Sequence, residues 1–164
     1  MRSMSELFAI RDLHLPDDRA ACISFIDGLQ KYEHAFEPNR RIDATVAEEY
    51  FTLLMKRVAE NEGRIFIGEM AGEPVGWAVF VLDDDSLYVV EEERRCAYLA
   101  ELFVEERARG TGLGKALMAA CEHEARAKGM NVFMIGVLPK NARARGVYLA
   151  AGFEPYSEQL RKYL

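Results

Sequence analysis

One segment concentrates residues with chemistry to offer. Residues 102–115 read Leu-Phe-Val-Glu-Glu-Arg-Ala-Arg-Gly-Thr-Gly-Leu-Gly-Lys. An apolar run enters a turn holding Gly110, Gly112 and Gly114, and an amphipathic stretch leaves it. Glycines let the backbone come close to an anion. A turn that opens a helix aims unpaired N–H groups and the positive end of the helix dipole at one spot. The arrangement reads as a cradle for a phosphate or pyrophosphate. It is not a P-loop, because no GxxxxGK[ST] occurs and Lys115 is followed by Ala116. Nor is it the dinucleotide fingerprint, because the glycines are spaced GxGxG rather than GxGxxG. A tight strand-to-helix turn without a ligand is the alternative reading of the glycines alone.

Periodicity gives the elements that must hold this turn in place. Residues 8–13 alternate as a short first strand. Pro16, Asp17 and Asp18 open a helix with Ala21, Ile23, Phe25, Ile26, Leu29 and Tyr32 on its apolar face. Asp43 or Thr45 caps a second helix running to about Glu60, with Val46, Tyr50, Leu53, Leu54 and Val58 as its apolar positions. Residues 64–70 and 74–82 are strands around a turn at Ala71-Gly72-Glu73. Residues 87–90 continue as strand, and 96–104 form the next one. A helix is expected over 112–128, with Leu113, Ala116, Leu117, Ala120 and Cys121 on one stripe and Gly129 as its stop. Residues 131–137 read as a buried strand, 141–151 as a helix ending at Gly152, and 153–164 as a last strand or hairpin arm. The order β-α-α-β-β-β-α-β-α-β predicts a mixed α/β layer domain. No repeat or linker divides it, so 1–164 is expected to be a single domain.

Composition excludes several functions. Half of the 164 residues are hydrophobic, enough for a sizeable core. Lys and Arg total 21 against 27 Asp and Glu, a net charge of −6. That balance argues against nucleic acid as a partner and favours cationic ones. No apolar run is long enough for a transmembrane helix, and residues 1–6 lead into no signal-peptide stretch. The expected location is cytoplasmic, with no membrane partner. Cys22, Cys96 and Cys121 are odd in number and widely spaced, and His14, His34 and His123 have no metal-ligand spacing. No metal is expected, and the cysteines read as small core hydrophobes.

Arg109-x-x-Gly112-x-Gly114 resembles the acetyl-CoA loop of the GNAT acyltransferase superfamily. Asn141-x-x-Ala144-x-x-x-Tyr148-x-x-x-Gly152-Phe153 matches that superfamily's second CoA block without a gap. Residues 98–114 are similar, again without gaps, to small-amine acetyltransferases of the spermidine/spermine type. The resemblance covers residues 98–153, and the N-terminal third carries no matching motif. It implies the GNAT acyl-CoA N-acyltransferase fold, a mixed central sheet of about six or seven strands flanked by about four helices. It also implies acetyl-CoA as co-substrate and a homodimer.

The same resemblance implies roles. Main-chain groups of Leu102, Phe103 and Val104 pair with the pantetheine arm. The N–H groups of Arg109, Gly110, Thr111, Gly112, Leu113, Gly114 and Lys115 hold the pyrophosphate. An N–H on the 102–104 strand, at a bulge where two strands splay, polarises the thioester carbonyl. Asn141 and Ala144 belong to the CoA arm's surroundings, and Asn141 can also cap its own helix. Tyr148 protonates the departing thiolate, or else is an aromatic core position beside Val147 and Phe153.

The chemistry needs a base as well. An alkylamine with a pKa near 10.4 is mostly ammonium at neutral pH and must lose a proton before attacking the thioester. Glu101 is the candidate, with a water chain as its rival. Strict alternation puts Glu101 on the opposite face from Ala100 and Leu102 unless a bulge intervenes. Ala100 stands where the spermidine/spermine-type relatives carry a substrate-side carboxylate, a departure from their pattern. Tyr32, Glu33 and Phe36, with His34 and Glu37, lie in a connection that often forms the acceptor wall in this superfamily. Aromatics and acids suit a cationic amine, while helix-end packing is the alternative. Glu91, Glu92 and Glu93 form either an acidic rim or a solvated loop. Three functions result: an N-acetyltransferase acting on a small primary amine, a protein N-terminal or lysine acetyltransferase, and a non-catalytic CoA-binding sensor.

Overall fold

Apolar alternation in the middle of the chain builds one five-stranded sheet. The computed structural model describes residues 7–164. The strands β1 (Ala9–Asp12), β2 (Arg64–Met70), β3 (Glu73–Asp84), β4 (Arg95–Val104) and β5 (Phe133–Ile135) lie in that spatial order. Neighbours from β1 to β4 are antiparallel, and β5 pairs parallel to β4. Before β2 come the helices α1 (Arg19–His34) and α2 (Val46–Glu60). A short α3 (Glu91–Arg94) precedes β4, α4 (Leu113–Ala127) makes the crossover to β5, and α5 (Ala142–Ala150) comes last.

The period-two pattern sorts the strand side chains to two faces. Ile65, Ile67, Trp77 and Val79 pack with Phe25 and Ile26 of α1 and Phe51 and Leu54 of α2. Phe66, Ala78, Phe80, Leu82 and Leu99 pack with Leu113, Leu117, Met118 and Cys121 of α4. All three cysteines are buried and unpaired, as core hydrophobes should be. Among the described residues, no helix is long and apolar enough to cross a membrane. No group of three His, Cys, Asp or Glu side chains among them could hold a metal ion.

Several expectations need correction. The sheet has five strands rather than six or seven, and there are five helices rather than four among the described residues. Residues 87–90 are not strand, because the Arg94 guanidinium takes the carbonyls of Leu87 and Val89. Residues 153–164 form no strand either. Pro155 removes a donor there, and side chains tie the segment down instead: Tyr156 donates to Asp85 and Arg161 pairs with Glu37. The helix faces are also turned. α1 buries Cys22, Phe25 and Ile26, α2 buries Ala47, Phe51 and Leu54, and Leu53 is 60% exposed. Thr45 occupies the cap position of α2, but its hydroxyl engages Asp43 and Glu49 rather than the helix N–H groups.

The ladder between β3 and β4 is broken at one point. Val79 pairs with Glu101 and Phe80 with Leu99, which leaves Ala100 as the extra residue of a bulge. Ala100 and Glu101 therefore both face α1 and α2, whereas Leu102 faces α4.

Candidate active site

The glycine turn is built as its spacing requires. Gly110 and Gly112 have φ of +79° and +91°, a conformation that L side chains rarely adopt. Gly112 is the N-cap of α4 and offers no side-chain cap. The first bond back into the helix runs from the Ala116 N–H to the Gly112 carbonyl, so the N–H groups ahead of it lack a helix carbonyl. Thr111 stiffens the turn by donating to the Ala108 carbonyl at 2.7 Å. A Cβ on Gly110 would meet nothing within 4 Å, and one on Gly114 only a Val104 methyl at 3.6 Å. The space over the turn is thus open, and the donors there suit a pyrophosphate. Leu113 has only its backbone to offer, because its side chain is fully buried against the sheet, and its N–H reaches the Thr111 hydroxyl at 3.4 Å. Lys115 is exposed. The Arg109 Nε donates to the Val104 carbonyl at 3.0 Å, and its guanidinium lies 5.6 Å from the centre of the Tyr32 ring.

The turn adjoins an open strand edge. β4 and β5 pair only from Ala97 to Leu99, so residues 100–104 lack a partner on that side. Main-chain groups of Leu102 lie along this edge, and Arg109 occupies the Val104 carbonyl there. The Glu105 N–H bonds back to the Val75 carbonyl, so by alternation the main-chain groups of Phe103 face β3 and not the edge, contrary to the expectation for that residue.

Glu101 sits where the edge opens. It is 6% exposed. Its Oε1 accepts from the Tyr50 hydroxyl at 2.6 Å, and its buried Oε2 has no hydrogen-bond partner. Burial pushes this carboxyl up to about 7; the Tyr50 bond and Arg57 oppose the shift, and the Glu33 charge adds to it. A carboxyl poised near neutrality, with one free oxygen, can take a proton.

On α5 the Asn141 Oδ1 caps the helix by accepting from the Ala144 N–H at 3.1 Å. Tyr148 is half-buried and packs edge-on to Phe153, with ring centres 6.0 Å apart. Burial pushes its hydroxyl up to about 12, and the charges of Glu33 and Glu101 add to the shift. Tyr148 therefore both fills core space and keeps a proton near two carboxylates.

The end of α1 forms a wall tied together by side chains. Tyr32 meets Phe36 edge-on at 5.1 Å, Glu33 pairs with Arg40 at 3.2 Å, and a His34 ring nitrogen lies 2.8 Å from the Arg40 carbonyl. The charge of Glu33 is felt by both Glu101 and Tyr148, whereas Tyr32 carries the Arg109 stack. Glu91, Glu92 and Glu93 are exposed on α3, as a solvated charged segment would be. The part that α2 plays is not legible from the sequence. Tyr50 and Arg57 approach Glu101 from a helix 44 to 51 residues upstream, and periodicity marks Tyr50 only as an apolar position.

Comparison with known proteins gives a consistent picture. The profile of the acetyltransferase (GNAT) family matches residues 26–153. An uncharacterised N-acetyltransferase of Methanocaldococcus jannaschii is 35% identical over 105 residues, covering 64% of this chain. The match takes in 44% of that relative, so the chain spans under half of the relative's length. A GCN5-related N-acetyltransferase from Ralstonia eutropha superposes with a TM-score of 0.76 at 18% identity, covering 95% of this chain and 98% of that one. A predicted acetyltransferase with acetyl-CoA from Clostridium acetobutylicum superposes with a TM-score of 0.74 at 19% identity, covering 96% of each chain. At these identities the two structures speak for the fold.

Proposed function

The chain belongs to the acetyltransferase (GNAT) family, and on that premise we propose that it acetylates the primary amine of a small cationic molecule. The reading has the amine attack directly within a ternary complex. Acetyl-CoA supplies the thioester whose acetyl group is transferred. The observation that carries the reading is Glu101, a buried carboxyl with one unpartnered oxygen, at the point where β4 and β5 part.

The chain's own groups divide the work. Backbone N–H groups at Gly110 to Lys115 hold the pyrophosphate, and the open edge at Leu102 receives the pantetheine arm. Glu101 Oε2 takes the proton of the acceptor's ammonium. With its pKa near 7, the carboxylate is substantially ionised at neutral pH. Tyr148 Oη keeps its proton and holds it for the leaving sulfur. Glu33, although paired with Arg40, adds negative charge that Glu101 feels, which favours a cationic acceptor over an anionic one. With alanine at position 100, Glu33 stands in for the second carboxylate near the base.

The test has two stages. Calorimetric titration should give low-micromolar binding of acetyl-CoA and CoA and none of ATP. A panel of primary amines mixed with acetyl-CoA should then release free CoA thiol for at least one member. Absence of CoA binding would remove the cofactor assignment. Binding with no thiol release from small amines, N-terminal peptides or lysine peptides would instead favour the sensor.

A further inference from the structure

A base at a strand bulge has to be held, and one side chain among the described residues does so. The Tyr50 hydroxyl donates to Glu101 Oε1 at 2.6 Å, a length characteristic of a bond to an ionised carboxylate. The other oxygen, Oε2, is buried without a partner. We propose that Tyr50 is a positioning residue for the transfer reaction: its hydroxyl fixes Glu101 through Oε1 and so reserves Oε2 for the acceptor's proton. The inference rests on Glu101 being the base.

The geometry favours this role over mere packing. Tyr50 lies on α2, whose neighbours Phe51 and Leu54 dock on the sheet, so its ring is anchored beside the core. Glu101 borders the extra residue Ala100, so the ladder is regular on only one side of it. The other charged or titratable groups facing Glu101 are Arg57 from α2, Glu33 from α1 and Tyr148 from α5. On β4, Tyr98 adds a titratable group near Tyr50, and Val79, across from Glu101 on β3, adds none. Arg57 lies over the Tyr98 ring at 5.5 Å and reaches Asp83 at 3.4 Å without bonding Glu101. The Tyr50 bond is therefore the contact that one substitution can delete without changing the net charge.

Deleting it has a definite sign. An O–H donated to a carboxylate favours the ionised form. Tyr50→Phe keeps the ring, removes that donor and raises the proton affinity of Glu101. The expected rise is about one pH unit, which leaves roughly fivefold less ionised base at neutral pH.

The experiment tracks the carboxyl carbons of 13C-labelled glutamates by NMR across pH in the full chain, with no acceptor present. Glu101→Gln assigns the Glu101 signal by removing it. The wild-type midpoint is expected close to 7, and that of Tyr50→Phe about one unit higher. An unmoved or lowered midpoint, with the other glutamate signals intact, would overturn the proposal. If Tyr50→Phe does not fold, the ring carbon bearing the Tyr50 hydroxyl is observed in the unaltered protein. It must shift with the Glu101 midpoint, and a flat response would overturn the proposal equally. Thiol release with the best amine of the panel separates the two readings. Wild-type turnover in Glu101→Gln would defeat the base assignment. A dead Glu101→Gln beside a Tyr50→Phe with an unshifted pH profile would defeat only the role of Tyr50.

Discussion

Replacing Glu101 with glutamine should remove a pH dependence from the fold in a measurable window. Burial holds this carboxyl at about 7 in place of its ordinary 4.5. The folded state then grips the proton more tightly than the unfolded chain does. Stability from this group is complete below pH 4.5, falls as pH rises towards 7, and levels off above it. At about 1.36 kcal/mol per pH unit, the span from 4.5 to about 7 amounts to about 3 kcal/mol. That is a large share of the ~5–15 kcal/mol that holds a typical domain together. At 6% exposure the side chain has little solvent to screen it. Glutamine keeps the shape and can still accept from Tyr50, but it does not titrate. Its amide nitrogen inherits the unpartnered position, at a cost of about 1–3 kcal/mol that does not vary with pH. The decisive quantity is therefore the difference between two profiles. Urea unfolding of both proteins from about pH 4.5 to about pH 8.5 should show wild type losing about 3 kcal/mol relative to the variant as pH rises. Parallel profiles would refute the claim that Glu101 is buried with an unsatisfied charge.

Other consequences can be checked separately. Tyr148→Phe should lower kcat by about a hundredfold while the acetyl-CoA Kd stays within about twofold, by thiol release and calorimetry; equal turnover would take Tyr148 out of the acid role. Gly112→Val forces a β-branched residue to φ +91°, costing about 1–2 kcal/mol and a few degrees of Tm. It should also abolish acetyl-CoA binding in a folded protein, and undiminished affinity would refute the pyrophosphate cradle. Gly28→Ala sets a Cβ 2.7 Å from Phe103 Cζ, so the urea midpoint should fall by the equivalent of about 1–3 kcal/mol. An unchanged midpoint would mean that α1 does not press on β4 as closely as described.

What the sequence revealed was local chemistry. A glycine with positive φ at a helix N-cap and an asparagine closing the next cap are decided within a few residues, and both stand where the spacing put them. Tertiary choices were less legible. Which stripe of α1 or α2 docks depends on the sheet beneath, and that is how Leu53 came to be exposed while Cys22 and Ala47 are buried. Residues 87–90 look apolar enough for a strand, but Arg94 claims their carbonyls. The partnership of Tyr50 with Glu101 spans 51 positions and leaves no periodic trace.

The face chosen by Glu101 shows how little separates a core position from a chemical one. With strict alternation along β4, Leu102 and Ala100 would share one face and Glu101 the other. The extra residue at Ala100 breaks that symmetry, so Ala100 joins Glu101 against α1 and α2 and Leu102 returns to the α4 side. The same stretch of β4 loses its β5 partner just past Leu99. The carboxylate is therefore shielded by α2 on its side-chain side, while the backbone beside it stays open to a ligand. Shielding raises its affinity for a proton, and the open edge leaves main-chain groups of β4 without a strand partner. A regular strand paired along its whole length would supply neither.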